Sequence, residues 1–142
     1  MKKILVINGP NLNMTGIREP EIYGSETLDD INLKIKKRAD ELGAEVSFFQ
    51  SNYEGAIIDE IHKSHNVYDG IILNPGAYSH YSLAIADALR SVSVKSIEVH
   101  MSNVFAREGE RHNLTTASAS SGMICGFGAY SYILALEGIL NG

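Results

Sequence analysis

Two pairs of residues in this chain have the types and spacing to move protons. Arg18 and Tyr23 lie close together in the stretch from Asn8 to Gly24. A phenol is a poor base near neutrality, with an ordinary pKa of about 10, but a guanidinium beside it favours tyrosinate and makes it a usable one. The same two residues would also fit a surface loop in which Tyr23 packs on a neighbour and Arg18 is solvated. Glu98 and His100 stand two apart in an apolar run, so on a strand both side chains point to one face. A carboxylate beside an imidazole orients the ring and holds its proton, which makes a general acid. An ion pair at a strand edge, without catalysis, would use the same spacing.

The elements that must position these groups are legible from periodicity. Lys3–Ile7 reads as a strand buried on both faces. The Asn8–Gly24 stretch carries prolines, glycines and asparagines that no regular element can run through, and a connection this long is typically a binding loop. Ser25 or Thr27 can cap a helix with Leu28, Ile31, Ile35, Ala39 and Leu42 on one face, ended by Gly43. Glu45–Phe49 reads as a second strand, and a helix follows from about Glu54. Gly70–Leu73 is a third strand, broken at residues 74–80, with a helix over Ser82–Arg90. Val94–Val99 is a fourth strand, followed by an irregular charged stretch over 107–113. A small-residue strand over Ser118–Cys125 and a helix from about Gly128 through Leu140 close the chain. Strand and helix alternate five times, which predicts one three-layer α/β domain over residues 1–142 with a parallel sheet and right-handed crossovers.

In such a sheet, ligands bind outside the carboxyl ends of the strands. The unusual polar residues fall there: Asn8 to Asn13 after the first strand, Asn74 to His80 after the third, His100 to Asn103 after the fourth. Asn, Gly and Ser are also common in turns for conformational reasons. Their repetition at one edge nevertheless points to a polar small-molecule pocket. His80 and Asp87, two helical turns apart, are expected to face alike, with Asp87 near a substrate hydroxyl or at a site completed by a neighbouring subunit. Tyr78 and Tyr81 are expected to pack.

Composition narrows the function. The chain has 142 residues and a net charge of -5, which disfavours a general nucleic-acid binder. Cys125 is the only cysteine, expected as buried filler, so no intrachain disulfide can form. No apolar run approaches the ~18 residues of a membrane span, and a cytoplasmic location is the expectation. Nothing resembles a phosphate-binding Walker loop. Gly126-Phe127-Gly128-Ala129-Tyr130-Ser131 has Ser where a dinucleotide fingerprint needs its third Gly, and it reads as a tight turn with close helix packing. His62 and His65 lack metal-ligand neighbours. No metal or cofactor is expected, so the chemistry would come from side chains alone, which suits proton transfer and elimination.

Four motifs together carry a resemblance. Residues 9–13 (Gly-Pro-Asn-Leu-Asn), 16–24 (Gly-Ile-Arg-Glu-Pro-Glu-Ile-Tyr-Gly), 74–80 (Asn-Pro-Gly-Ala-Tyr-Ser-His) and 97–103 (Ile-Glu-Val-His-Met-Ser-Asn) closely resemble type II 3-dehydroquinate dehydratase, in the family's order and over essentially the whole chain. The resemblance implies a flavodoxin-like three-layer sandwich with a five-stranded parallel sheet. It implies a homo-oligomer, a dodecamer built from trimers, that needs neither metal nor Schiff base. The reaction implied is the dehydration of 3-dehydroquinate to 3-dehydroshikimate through an enolate. Tyr23 would be the base, with Arg18 depressing its pKa; Asn11 would hold a water on the enolate; His100, oriented by Glu98, would be the general acid. Asn74, His80, Arg111, Met101 and Ser102 would hold the substrate, Asp87 would reach in from a neighbouring subunit, and Arg107 would lend electrostatic support. The loop bearing Arg18 and Tyr23 would close over the substrate.

The chain departs from the family pattern at two places. Glu110 stands where an aromatic usually precedes the substrate arginine, and Asn113-Leu114 replaces a His-Ser pair. Activity is expected to survive these changes with altered substrate affinity. Two other functions fit the same architecture: a flavodoxin-like module that binds a small acid or a flavin without turnover, and a structural subunit that has lost catalysis. Neither requires the Tyr23 hydroxyl.

Overall fold

The computed structural model describes residues 1–17, 21 and 25–142. Arg18 and Tyr23 lie outside the described residues. Five strands form one all-parallel sheet: β1 (Lys3–Asn8), β2 (Glu45–Gln50), β3 (Gly70–Asn74), β4 (Lys95–His100) and β5 (Gly122–Cys125), in the spatial order β2-β1-β3-β4-β5. That order is the flavodoxin-like one, with its switch point between β1 and β3.

Among the described residues, four α-helices cover the sheet: α1 (Leu28–Glu41), α2 (Glu54–Ser64), α3 (Leu83–Ser91) and α4 (Tyr130–Asn141). Strand alternation divides the core in two. Ile4, Val6, Ile72, Ile97 and Val99 pack with Ile31 and Ile35 of α1 and with Tyr132, Leu136 and Ile139 of α4. Leu5, Ile7, Ile71 and Leu73 pack with Ile57 and Ile61 of α2 and with Ile85 and Leu89 of α3. Each large apolar side chain buried this way contributes about 1.5–3 kcal/mol. Glu98, out of phase with Ile97 and Val99, belongs to the α2/α3 face.

The helix starts follow from capping chemistry. Thr27 accepts from the Asp30 N–H while Asp30 accepts from the Thr27 N–H, a reciprocal capping box. Ser82 caps α3 through the Ile85 N–H at 3.0 Å. Gly43, at φ 72°, turns the chain out of α1.

Several expectations need correction. The last strand is Gly122–Cys125 alone, because Ala117–Ala119 forms a 3-10 turn. There Ser118 donates to the Thr115 carbonyl and Ser120 to the Thr116 carbonyl, side-chain bonds that compete with a ladder. The final helix starts at Tyr130, since Gly126 and Gly128 both have positive φ, and no atom crowds Gly128 as close helix packing would require. His80 sits in a 3-10 turn over Gly76–His80, whereas Asp87 is on α3, so the two do not share a helix. Cys125 is half-buried, and Tyr81 is exposed.

Candidate functional site

The carboxyl ends of β1, β3 and β4 open on one cleft of about 550 Å³, counting its mouth. Pro10, Asn11 and Leu12 line it from the loop after β1, and Asn74, Gly76 and His80 from the segment after β3. His100, Met101 and Ser102 line it from the end of β4, and Arg107 and Arg111 from the stretch beyond. Eight of the residues singled out in the sequence therefore meet in one place: Asn11, Asn74, His80, His100, Met101, Ser102, Arg107 and Arg111.

Two glycine–proline corners hold the first two walls together. Gly9 packs so closely on Pro75 that a Cβ would lie 2.6 Å from the Pro75 carbonyl oxygen. Gly76, at φ 59°, lies under Pro10, where a Cβ would come 3.0 Å from the Pro10 carbonyl oxygen, and the Gly9 N–H donates to the Asn74 carbonyl at 2.8 Å. Only glycine permits backbones to approach this nearly. Asn11 follows in a left-handed conformation at φ 69°, which Asn tolerates better than other non-glycine residues. Its N–H is held by Asn52 Oδ1 at 3.0 Å.

Glu98 is wholly buried behind His100, and its oxygens receive three donors. His100 Nε2 lies 2.7 Å from Oε2, Ser79 Oγ donates to the same oxygen at 2.5 Å, and Thr116 Oγ1 donates to Oε1 at 2.5 Å. A buried carboxylate without such partners would be strongly destabilising. His100 is itself only 7% exposed, with its Nδ1 on the ring edge away from Glu98. Its imidazole stacks on that of His80, centroids 6.1 Å apart.

His80 is tied to the Asn113 segment twice. His80 Nδ1 donates to the Asn113 carbonyl at 2.8 Å, and Asn113 Nδ2 donates to the His80 carbonyl at 3.1 Å. Burial holds the His80 imidazole below its ordinary pKa, with the bond to Asn113 opposing and the nearby His100 and Arg111 adding to the depression. His80 is therefore kept neutral, with Nδ1 as its protonated nitrogen. Arg111 Nε donates to Glu108 Oε1 at 2.6 Å. The Glu108 carboxyl is held below the usual carboxylate range by its own backbone N–H and then by Arg111.

Asp87 does not reach the cleft. Its side chain is 79% exposed and pairs with Arg90 at 3.8 Å. Ser79 and Thr116 escaped the sequence reading, and Asn113 was noted only as a departure from the family pattern, without its bonds to His80. Ser79 adjoins His80 and could have been suspected from that; Thr116 and Asn113 reach the site only through loop geometry. Among the described residues, no group of three or more His, Cys, Asp and Glu side chains is placed to hold a metal, and no helix is long and apolar enough to cross a membrane.

A parallel sheet in this order, with a polar cleft at its carboxyl edge and a histidine of the cleft wall backed by a buried carboxylate, defines a flavodoxin-like α/β protein with a polar site for a small molecule. Residues 2–140 match the family model described as class II dehydroquinase. The chain belongs to that family. It is 58% identical over 137 residues to a 3-dehydroquinate dehydratase of Caldicellulosiruptor bescii, covering 96% of this chain and 94% of that one. It is 55% identical over 141 residues to a protein of the same name from Clostridium botulinum, covering 99% and 96%. Among solved structures, the type II dehydroquinase of Butyrivibrio crossotus superposes with a TM-score of 0.97 at 50% identity, covering 99% of this chain and 98% of that one.

Proposed function

We propose that this chain is a hydro-lyase that dehydrates 3-dehydroquinate to 3-dehydroshikimate through an enolate. The observation that carries the reading is the buried Glu98–His100 pair facing the cleft of a class II dehydroquinase. Tyr23, as tyrosinate, takes the proton from the carbon beside the ketone, and the electron pair moves onto the ketone oxygen. Arg18 favours the ionised phenol, and Asn11 holds a water that stabilises the enolate. As the enolate re-forms the ketone, the carbon–oxygen bond at the neighbouring position breaks, and His100 gives a proton to the departing hydroxyl. With Nε2–H committed to Glu98, the proton leaves from Nδ1, and water is the second product.

Arg111 suits the substrate carboxylate or hydroxyls as a multidentate donor. Asn74, His80, Met101 and Ser102 hold the rest of the substrate, and Arg107 adds positive potential. Asp87, solvated here, serves a neighbouring subunit of a dodecamer built from trimers. The expected setting is cytoplasmic.

Dehydration creates a conjugated enone, so turnover appears as rising near-ultraviolet absorbance when the protein is mixed with 3-dehydroquinate. Turnover by wild type and none by Tyr23→Phe supports both the reaction and the base. Turnover by both overturns the base assignment, and turnover by neither folded protein overturns the reaction.

A further inference from the structure

Tyr132 comes up from α4 through the core and is wholly buried. Its hydroxyl meets two asparagines that end neighbouring strands in register, Asn8 of β1 and Asn74 of β3. It donates to Asn8 Oδ1 at 2.6 Å and accepts from Asn74 Nδ2 at 2.9 Å. Both asparagines are buried.

A backbone group fixes the direction of this relay. The Gly76 N–H, a donor only, points at Asn74 Oδ1 from 3.2 Å. The Asn74 atom facing Tyr132 is therefore the nitrogen, and it must donate. The phenol has one proton, already opposed by a donor, so the proton goes to Asn8. Turning the Asn74 carboxamide over would set its NH2 against the Gly76 N–H. Asn74 Nδ2 carries a second hydrogen, and Asn74 lines the cleft.

We propose that Tyr132 is a positioning residue for substrate binding: its hydroxyl locks the Asn74 carboxamide so that the remaining N–H is presented to the cleft as a donor to a substrate oxygen. The proposal rests on the reading of Asn74 as a substrate contact. Burial also raises the Tyr132 pKa far above that of an ordinary phenol, so the hydroxyl keeps its proton and the relay keeps its sense. A tyrosine here for packing alone would not need its oxygen between two carboxamides.

The test is a double-mutant cycle on the whole enzyme with 3-dehydroquinate, combining Tyr132→Phe with Asn74→Ala. Tyr132→Phe keeps the ring that packs the core and removes only the hydroxyl. In the wild-type background it is expected to raise KM about tenfold with kcat changed less than about twofold, the loss of one oriented hydrogen bond. In the Asn74→Ala background the same substitution is expected to leave KM unchanged. Equal rises in both backgrounds would make the hydroxyl merely structural and overturn the proposal. A KM raised by Asn74→Ala but not by Tyr132→Phe overturns the proposal and leaves the function standing. A KM that ignores Asn74→Ala removes the substrate contact itself, and the proposal with it. Asn8→Ala keeps Tyr132 in its packed place and withdraws its acceptor; it is expected to raise KM by the same route and carries the cycle if Tyr132→Phe does not fold.

Discussion

Glu98 meets His100 at 2.7 Å with no exposure of its own, and its two oxygens take donors from the segment after β3 and the loop before β5 as well. A strand pair of this spacing at a protein surface would gain little from its charges. Here the carboxylate is sealed by apolar strands, so its orientation is set by hydrogen bonds rather than by solvent. The imidazole inherits that orientation, and its far edge is turned from the core.

Glu98→Gln tests that inheritance. The amide can still touch Nε2, but it supplies no negative charge to hold a second proton on the ring. Steady-state assays are expected to show kcat reduced about 100-fold or more, in the range for loss of a general acid, with circular dichroism unchanged.

Ser79 and Thr116 are expected to matter through Glu98. Ser79→Ala or Thr116→Val leaves a buried oxygen one donor short, which costs about 1–3 kcal/mol each. Urea unfolding measures the loss. The two substitutions share one acceptor group, so their effects are expected to be non-additive in the double variant.

His80 gives a pH dependence of stability. Its pKa is depressed by burial, so the unfolded chain holds more protons at this position than the folded one as pH falls through about 6.5. The contribution is fully present above that value and is lost as pH drops toward the lower folded value. Urea midpoints between pH 7.5 and 5 are expected to fall more steeply for wild type than for His80→Gln. Equal slopes would show that the imidazole is not desolvated.

The legible part of this molecule was the part set by short-range pattern. Apolar runs and helical spacing located the strands and helices, and the polar residues after Ile7, Leu73 and Val99 located the cleft edge. Glu98 and His100 were legible because a strand's two-residue period puts them on one face. The expected alignment of His80 with Asp87 did not hold, for the matching reason: a helical period was extended across Tyr81, where the backbone is not helical. Thr116, Asn113 and Tyr132 were illegible because their roles depend on partners 18, 33 and 58 residues away, brought near only by the packed sheet.

The interlocked corners make the last expectation. Gly9 has ordinary φ, so Gly9→Ala brings no backbone strain of its own; it places a methyl 2.6 Å from the Pro75 carbonyl oxygen, where backbone and not a flexible side chain must yield. Moving Pro75 shifts Asn74 and Gly76 against Asn11, so both walls of the cleft are displaced. Gly9→Ala is expected to lose about 1–3 kcal/mol of stability and to raise KM for 3-dehydroquinate. Gly55→Ala is the control. It lies in α2, where an added Cβ would meet no atom within 4 Å beyond its own helix backbone, and alanine there is expected to gain about 0.4–1 kcal/mol with no change in KM. Paired urea titrations and assays separate the two. If Gly9→Ala behaves like Gly55→Ala, the corners are not what fixes the distance between the cleft walls.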